Sequence, residues 1–402
     1  MSERRKYGIS GKKNVFLLFA MICSMVFVLA GCGNTPDADE KNKNKVLQDR
    51  NTDISPHLVC QESMELEYAD QFAVDYYEGG YALISMTDGR RYLAVPEGKS
   101  TPEKLEKDII VLKRPVKDVY LVATAVMDMF CELDALDSIR FSGQKADGWS
   151  RIEAREAMER GEIFYAGKYS APDYETIVSR GCSLAIENNM ITHSPEVVEK
   201  LGEFGIPVLI DLSSYESHPL GRAEWIRMYG VLLGKEEEAE EVFDRQAQIL
   251  KEVSAGEPSG KTAAYFFITA NGMVNVRVSS DYVPRMIELA GGKYIFEDLE
   301  REDSHRSSVA MQMEEFYLTA KDADYLIYNS TIEGGVSSVQ ELLEMESLLG
   351  DFKAVKEGNV WCTTRDLYQQ SMSIGQMIGD FHYMLSGEPK QQENIRYMYH
   401  LE

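Results

Sequence analysis

The feature that most limits how this chain can fold is the stretch HPLGRAEWIRMYGVLLGKEEEAEEVFDRQAQIL, His218 to Leu250. It reads as helix over about twice the length of an average one. Trp225, Tyr229, Leu232 and Leu233 share one face, and Ala239, Val242, Phe243, Ala247 and Leu250 continue a similar stripe. Such a stripe buries one side of a helix along its length. Gly230 and Gly234 weaken the middle, which leaves open one helix or two. Both flanks alternate strand and helix patterns, so the helical stretch is a stiff link between two halves with a cleft between them.

Before the link, alternating apolar residues punctuated by Gly79-Gly80 and Asp88-Gly89 predict a small meander of strands. VKDVYLVATA then reads as a buried strand, VMDMFCELDALDSI as a helix and RFSG as a short strand. APDYETIVSRG predicts a helix, CSLAIEN a strand, and SPEVVEKLGEFG a helix with Ser194 as cap and Pro195 at its first position. IPVLIDL closes this half as a strand. After the link, KTAAYFFIT, ADYLIYNS and NVWCT read as strands, and DYVPRMIELAGG, MEEFYLTAKD and SIGQMIGDFHYML as helices. Strand and helix alternation with short loops implies a mostly parallel sheet wrapped by helices. The expected class is therefore α/β, with a first lobe at 59–217, a linking helix region at 218–253 and a second lobe at 259–402. No repeat at solenoid spacing is present.

The N-terminus carries Arg4, Arg5, Lys6, Lys12 and Lys13, then an apolar run from Val15 to Leu29 broken only by Ser24. A basic start, an apolar core of about 7–15 residues and small residues before a cut site define a secretory signal, here 1–31. A spanning helix needs about 20 apolar residues. LAGC, Leu29 to Cys32, resembles the bacterial lipobox, which implies lipidation of Cys32; the other reading is an uncleaved anchor. Both readings put the rest outside the cytoplasm. Gly33 to about Pro56 holds almost no apolar residues. It reads as a flexible tether, assigned to 32–58.

Net charge is −24, and the leader holds five basic residues and one acid, so the remainder is near −28. That excess argues against nucleic acid, which requires a basic footprint, and against lying flat on anionic lipid. Cys60, Cys131, Cys182 and Cys362 are far apart with no C-x-x-C, which disfavours a zinc knuckle; pairing or freedom stays open. His57, His193, His218, His305, His382 and His400 are scattered. No His and carboxylate set for a directly held zinc or manganese ion stands out, and no cofactor is expected.

Four stretches, in order, carry a resemblance through most of the chain: AGKYSAPDYETIVSRGCSLAI, GIPVLIDLSSYESHPLGRAEWIRMYGVLLGKEEEAEEVF, MIELAGGKYIF and MEEFYLTAKDADYLIYNS. Together with the leader they resemble the lipoprotein receptors of ABC importers for iron siderophores, haem and cobalamin. The resemblance implies two Rossmann-like lobes linked by a long helix, a chelate-sized ligand in the cleft (a ferric chelate or a metallo-tetrapyrrole), a permease dimer as partner and a monomeric, membrane-anchored receptor without enzyme activity. It departs where the family often has Pro-Asp before buried strands and this chain has GCSL and KDAD. It implies permease docking through one glutamate per lobe, Glu175 in PDYETI and Glu314 or its neighbour Glu315 in QMEEFYL.

Ligand residues belong where strands end and face a cleft. In the first lobe the candidates are Thr124, Trp149, Lys168, Tyr169, Glu187, Asn188 and Tyr215; in the second, Asn275, Arg277, Tyr282 and Arg365. Arg277 follows a strand and could grip an anion with its planar fork; a surface salt bridge is the competing reading. Two other classes stay open. An exported hydrolase lacks a G-x-S-x-G elbow here, and a sensor lipoprotein would use the same fold without transport.

Overall fold

The computed structural model describes residues 50–300, 307–387 and 393–402, together with Leu47. The leader, Cys32, most of the tether and His305–Arg306 lie outside the described residues.

The alternating residues of the N-terminal region form a five-stranded sheet ordered Cys60–Ser63, Phe72–Tyr77, Tyr81–Met86, Arg91–Pro96 and Ile109–Arg114. The first four strands are antiparallel and the last pair is parallel. Period two sends Phe72, Val74, Ile84, Tyr92 and Leu112 to one face and Tyr77, Leu83, Leu93 and Val95 to the other. The first face joins the main core, with the Phe72 ring 5.1 Å from that of Trp225 and the Tyr92 hydroxyl donating to the Val208 carbonyl at 2.9 Å. The second face is covered by Ile54 and Leu58, both buried. The expected tether to residue 58 thus ends earlier: apolar residues spaced four apart are enough to pin the chain, and Arg50 pairs with buried Asp75 at 2.6 Å.

The first-lobe sheet is wholly parallel, ordered Val208–Asp211, Leu184–Asn188, Val119–Leu121, Ile139–Ser142 and Phe164–Tyr165. From Val119–Leu121 the chain builds outward to one side and then returns to the other. Strand order therefore reverses between Val119–Leu121 and Leu184–Asn188, and a crevice opens beyond their carboxyl ends. The second-lobe sheet is mixed. Thr262–Ile268, Tyr325–Tyr328 and Val360–Thr363 run parallel. Val274–Arg277, Ser308–Met311 and Met398–His400 add antiparallel edges, so this lobe is less parallel than the sequence pattern implied.

The linking stretch is two helices, Pro219–Leu233 and Glu236–Ser254. Gly234 ends the first in the left-handed conformation, φ 68°. Gly230 serves packing instead. A Cβ there would lie 2.6 Å from the Ala239 Cβ, so its bare backbone lets the second helix pack close against the first. Within the first helix Glu224 is fully buried and accepts the backbone N–H groups of Glu67, Tyr68 and Ala69 at 2.7–2.9 Å. Glu216, just upstream, takes those of Asp70 and Gln71 and the Trp225 indole. The two carboxylates clamp five consecutive amides, which fastens the N-terminal sheet to the lobe. The Glu236–Ser254 helix runs on beside the closing helix Ile374–Ser386, where Gln246 Oε1 accepts the Gly375 N–H at 3.0 Å.

Candidate functional site

A pocket of about 260 Å³ lies at the first-lobe crevice and is faced from the other side by the second lobe. Its first-lobe wall holds Ala123 to Ala125, Asn188 to Met190, Asp211 and Ser213, with Arg222 from the helix Pro219–Leu233. Its second-lobe wall holds Arg277, Asp281, Tyr282, Ser307 and Tyr368.

Each wall is set by local structure. The helix Thr124–Glu132 begins at the pocket, and its cap residue Ala123 offers no side-chain acceptor, so the positive end of the helix dipole is unanswered there. Asn188 Oδ1 accepts the Met190 N–H at 2.9 Å and turns the chain at the strand end. Asp211 is buried and accepts from the Ser213 hydroxyl and from Tyr229 Oη at 2.8 Å. Burial pushes its carboxyl up, against the pull of those donors and of Arg222. Asp281 caps the helix Tyr282–Leu289 through the Val283 N–H at 3.0 Å.

The two arginines differ. Arg277, at the end of the strand Val274–Arg277, donates to Ser307 Oγ at 2.8 Å and to Tyr368 Oη, and Asp281 stands 3.5 Å away. Burial alone would lower its pKa, but Tyr368 and Asp281 hold it well above the ordinary value, so it stays charged. Tyr368 Oη is met as well by Tyr265 Oη at 3.2 Å and Asn329 Nδ2 at 3.1 Å. Arg222 lies over the Tyr282 ring, its Cζ 4.0 Å from the centroid. Among the described residues its guanidinium makes no hydrogen bond or ion pair within contact distance. An arginine so placed keeps its donors for an incoming acceptor.

Of the residues picked from sequence, the pocket gathers Thr124, Asn188, Arg277 and Tyr282. The others lie elsewhere. Trp149 is buried in the lobe core with its indole donating to Ser142 Oγ at 2.9 Å. Lys168 is exposed in the small hairpin that pairs Gly167–Lys168 with Ala171–Pro172, and Tyr169 and Tyr215 pack half-buried against the core. Glu187 is fully buried, one residue before the pocket and on the other face of its strand. Neither of its oxygens has a partner among the described residues, and burial pushes its carboxyl up to about 8. Asn275 lies outside the pocket lining, two residues before Arg277 on the same strand, its Oδ1 likewise unpartnered among the described residues. Arg365 is exposed and lines a separate depression with Glu341, Thr363 and Tyr399. Sequence reasoning missed Arg222, Asp281, Ser307 and Tyr368.

The two docking candidates occupy matching positions on different lobes. Glu175 and Glu314 are each the second residue of a helix, Tyr174–Ser179 and Met313–Ala320, and each stands two residues before a buried anchor, Ile177 and Phe316. Both are exposed, as is Glu315. The four cysteines Cys60, Cys131, Cys182 and Cys362 are free. No cluster suited to a metal ion occurs among the described residues.

In this layout two α/β units meet over a strand-order crevice. Residues 122–367 match the model of the periplasmic binding protein family, and the chain belongs to that family. Its members are substrate-binding proteins of transport, not enzymes. The chain is 25% identical over 380 residues to an uncharacterised lipoprotein of Methanocaldococcus jannaschii, covering 88% of each. Its fold is similar to the petrobactin-binding protein of Bacillus subtilis, with TM-score 0.54, 14% identity and coverage of 68% of this chain and 93% of that one. It is also similar to the periplasmic haem-binding protein of Vibrio cholerae, with TM-score 0.53, 15% identity and coverage of 66% and 97%. The five-stranded N-terminal sheet precedes residue 122 and so lies outside the family match.

Proposed function

We propose that this protein is the extracytoplasmic receptor of an ABC importer, tethered through a lipidated Cys32, that binds an anionic chelate of the iron–siderophore type and presents it to a permease dimer. The observation that carries the reading is the pocket between the lobes, where Arg222 meets the ligand from one side and Arg277 with its tyrosines from the other. Guanidinium forks suit carboxylate, catecholate or hydroxamate oxygens. At about 260 Å³ the pocket sits below the roughly 300–1,000 Å³ of drug-sized sites. Ferric siderophores, haem and corrinoids all exceed that volume, so size does not choose among them; the choice rests on the paired guanidinium donors. Docking uses Glu175 and Glu314, whose equivalent helix positions make Glu314 rather than Glu315 the second contact; paired charges chiefly set orientation and rate of encounter.

Native mass spectrometry and calorimetry against ferric catecholates, ferric hydroxamates, haem and cobalamin test this. A ferric siderophore binds, and Arg222→Ala weakens it. Binding of haem or cobalamin alone, or of none of the panel, overturns the ligand assignment. Reversing both docking acids, Glu175→Arg with Glu314→Arg, abolishes uptake with ligand affinity intact; normal uptake in that variant removes these two residues from docking.

A further inference from the structure

We infer that the loop between the strand Val360–Thr363 and the helix Ile374–Ser386 is a strap that fastens the second lobe to the first, with Gln369 as the residue that positions Tyr368 in the pocket. The loop leaves the second-lobe sheet, and Tyr368 on it lines the pocket, held from its own lobe by Arg277, Tyr265 and Asn329. The next four residues all bond to the other lobe. The Gln369 side-chain amide works in both directions: Nε2 donates to the Gly148 carbonyl at 2.9 Å, and Oε1 accepts the Ser150 N–H at 2.9 Å. These are the neighbours of Trp149, which is fixed in the lobe core. Gln370 Nε2 donates to Ser150 Oγ at 3.2 Å, Ser371 Oγ to the Ala125 carbonyl at 2.6 Å, and the Met372 N–H to Asp128 Oδ2 at 2.7 Å. Asp128 is itself buried and paired with Arg151 at 2.7 Å.

Five hydrogen bonds from four consecutive residues thus land on two first-lobe segments, Gly148–Ser150 and the helix Thr124–Glu132, and one of their acceptors, Ala125, is also a pocket residue. A loop that only needed to fold would satisfy its polar groups locally or in water. Here they are satisfied across the lobe boundary. The consequence is mechanical: at this edge the lobes cannot separate unless the Gln369 amide lets go, and when it does Tyr368 leaves the first-lobe wall together with Arg277. The strap therefore fixes the spacing of Arg222 from Arg277 before any ligand arrives, a form of preorganisation.

Spin labels on the full chain at two exposed positions, Glu159 of the first lobe and Glu344 of the second, report the lobe spacing without ligand. The unsubstituted strap gives one narrow distance. Gln369→Met keeps the side-chain length and loses both bonds. It adds a longer-distance population of about 10% or more, above the usual ceiling for a minor state. Gln369→Glu keeps the acceptor for the Ser150 N–H and loses the donor, and falls between. Gln340→Ala, an exposed glutamine of the second lobe, leaves the distance unchanged. Circular dichroism confirms that each variant is folded; if the Met variant unfolds, Gln370→Ala and Ser371→Ala carry the same comparison. Distances superimposable on the parent in Gln369→Met, or in both substitutes where it does not fold, overturn the strap. This inference goes beyond the receptor reading, and because the readout needs no ligand, its failure and failure of the ligand panel are separate results.

Discussion

Arg277 and Arg222 reach one pocket from opposite lobes with their charges in opposite conditions. Arg277 arrives already answered, by Asp281 at 3.5 Å, by Ser307 and by Tyr368. Arg222 rests on a tyrosine ring and feels buried Asp211 across the pocket, but forms no ion pair within contact distance among the described residues. The first is wall as much as grip, since it holds Tyr368 in place and compensates a buried acid. The second is the freer donor. Residue type and position at a strand end do not separate these roles; the partners do. Glu187 extends the comparison to a third condition, a buried charge with no partner, which resolves itself by keeping its proton.

Arg277→Ala breaks the comparison most severely. It strands Asp281 and loosens Tyr368, and unfolding by denaturant registers a loss of about 3 kcal/mol, as when one partner of a buried pair is removed. Ligand affinity falls with it. Arg222→Ala acts on binding instead: calorimetry with a ferric siderophore gives a loss of about 1.5–3 kcal/mol for a charged hydrogen bond. The fold loses only the ring contact, about 0.5–1 kcal/mol. An equal loss of stability in both variants would erase the distinction.

Glu187→Gln sharpens the third condition. The folded carboxyl keeps its proton up to about pH 8, whereas the unfolded one releases it near its ordinary value of about 4.3. The folded state therefore binds more protons across that window, and stability declines as pH rises through it. Glutamine imitates the neutral acid at every pH. The variant matches the parent near pH 4 and exceeds it at pH 8 by about 1 kcal/mol or more; parallel pH profiles of the two proteins would refute this. The smallest effect on the molecule itself belongs to the exposed pair. Glu175→Arg with Glu314→Arg changes thermal stability by no more than about 0.5 kcal/mol, although uptake is the property it abolishes.

The two lobes, their order and the helical link were legible because they rest on periodicity, which burial enforces over many residues at once. Asn188, Arg277 and Tyr282 were legible for a related reason: they stand where strands end or helices begin, and parallel sheets open their crevices there. The same rule selected Glu187, which is one residue from Asn188 and takes the other face; Asn275, which shares the face of Arg277 but stands two residues further from the strand end; and Trp149, a loop residue whose indole turns back to Ser142. Arg222 gave no signal. It is the fourth residue of a helix whose sequence reads as amphipathic, where an arginine reads as solvated surface, but the structure buries that helix on nearly every side, Arg222 and Arg227 excepted, and Arg222 reaches the cavity. Tyr368 and Gln369 lie in a loop without period, and their partners are more than 90 residues away in Arg277 and more than 200 away in Gly148. The break at Gly234 was partly visible from glycine alone, but the close approach of Ala239 to Gly230 was not.

The seam at Arg50, Ile54 and Leu58 bears on how the protein carries load. Tension entering from the upstream chain meets the Arg50–Asp75 ion pair first and then the two apolar plugs on the outer face of the five-stranded sheet. That sheet is bolted to the lobe through the five amides held by Glu216 and Glu224. None of these attachments passes through the pocket or the strap. A pull from the upstream chain is thus grounded in the N-terminal sheet and its mounting, and the spacing of the lobes at the pocket is held by other bonds altogether.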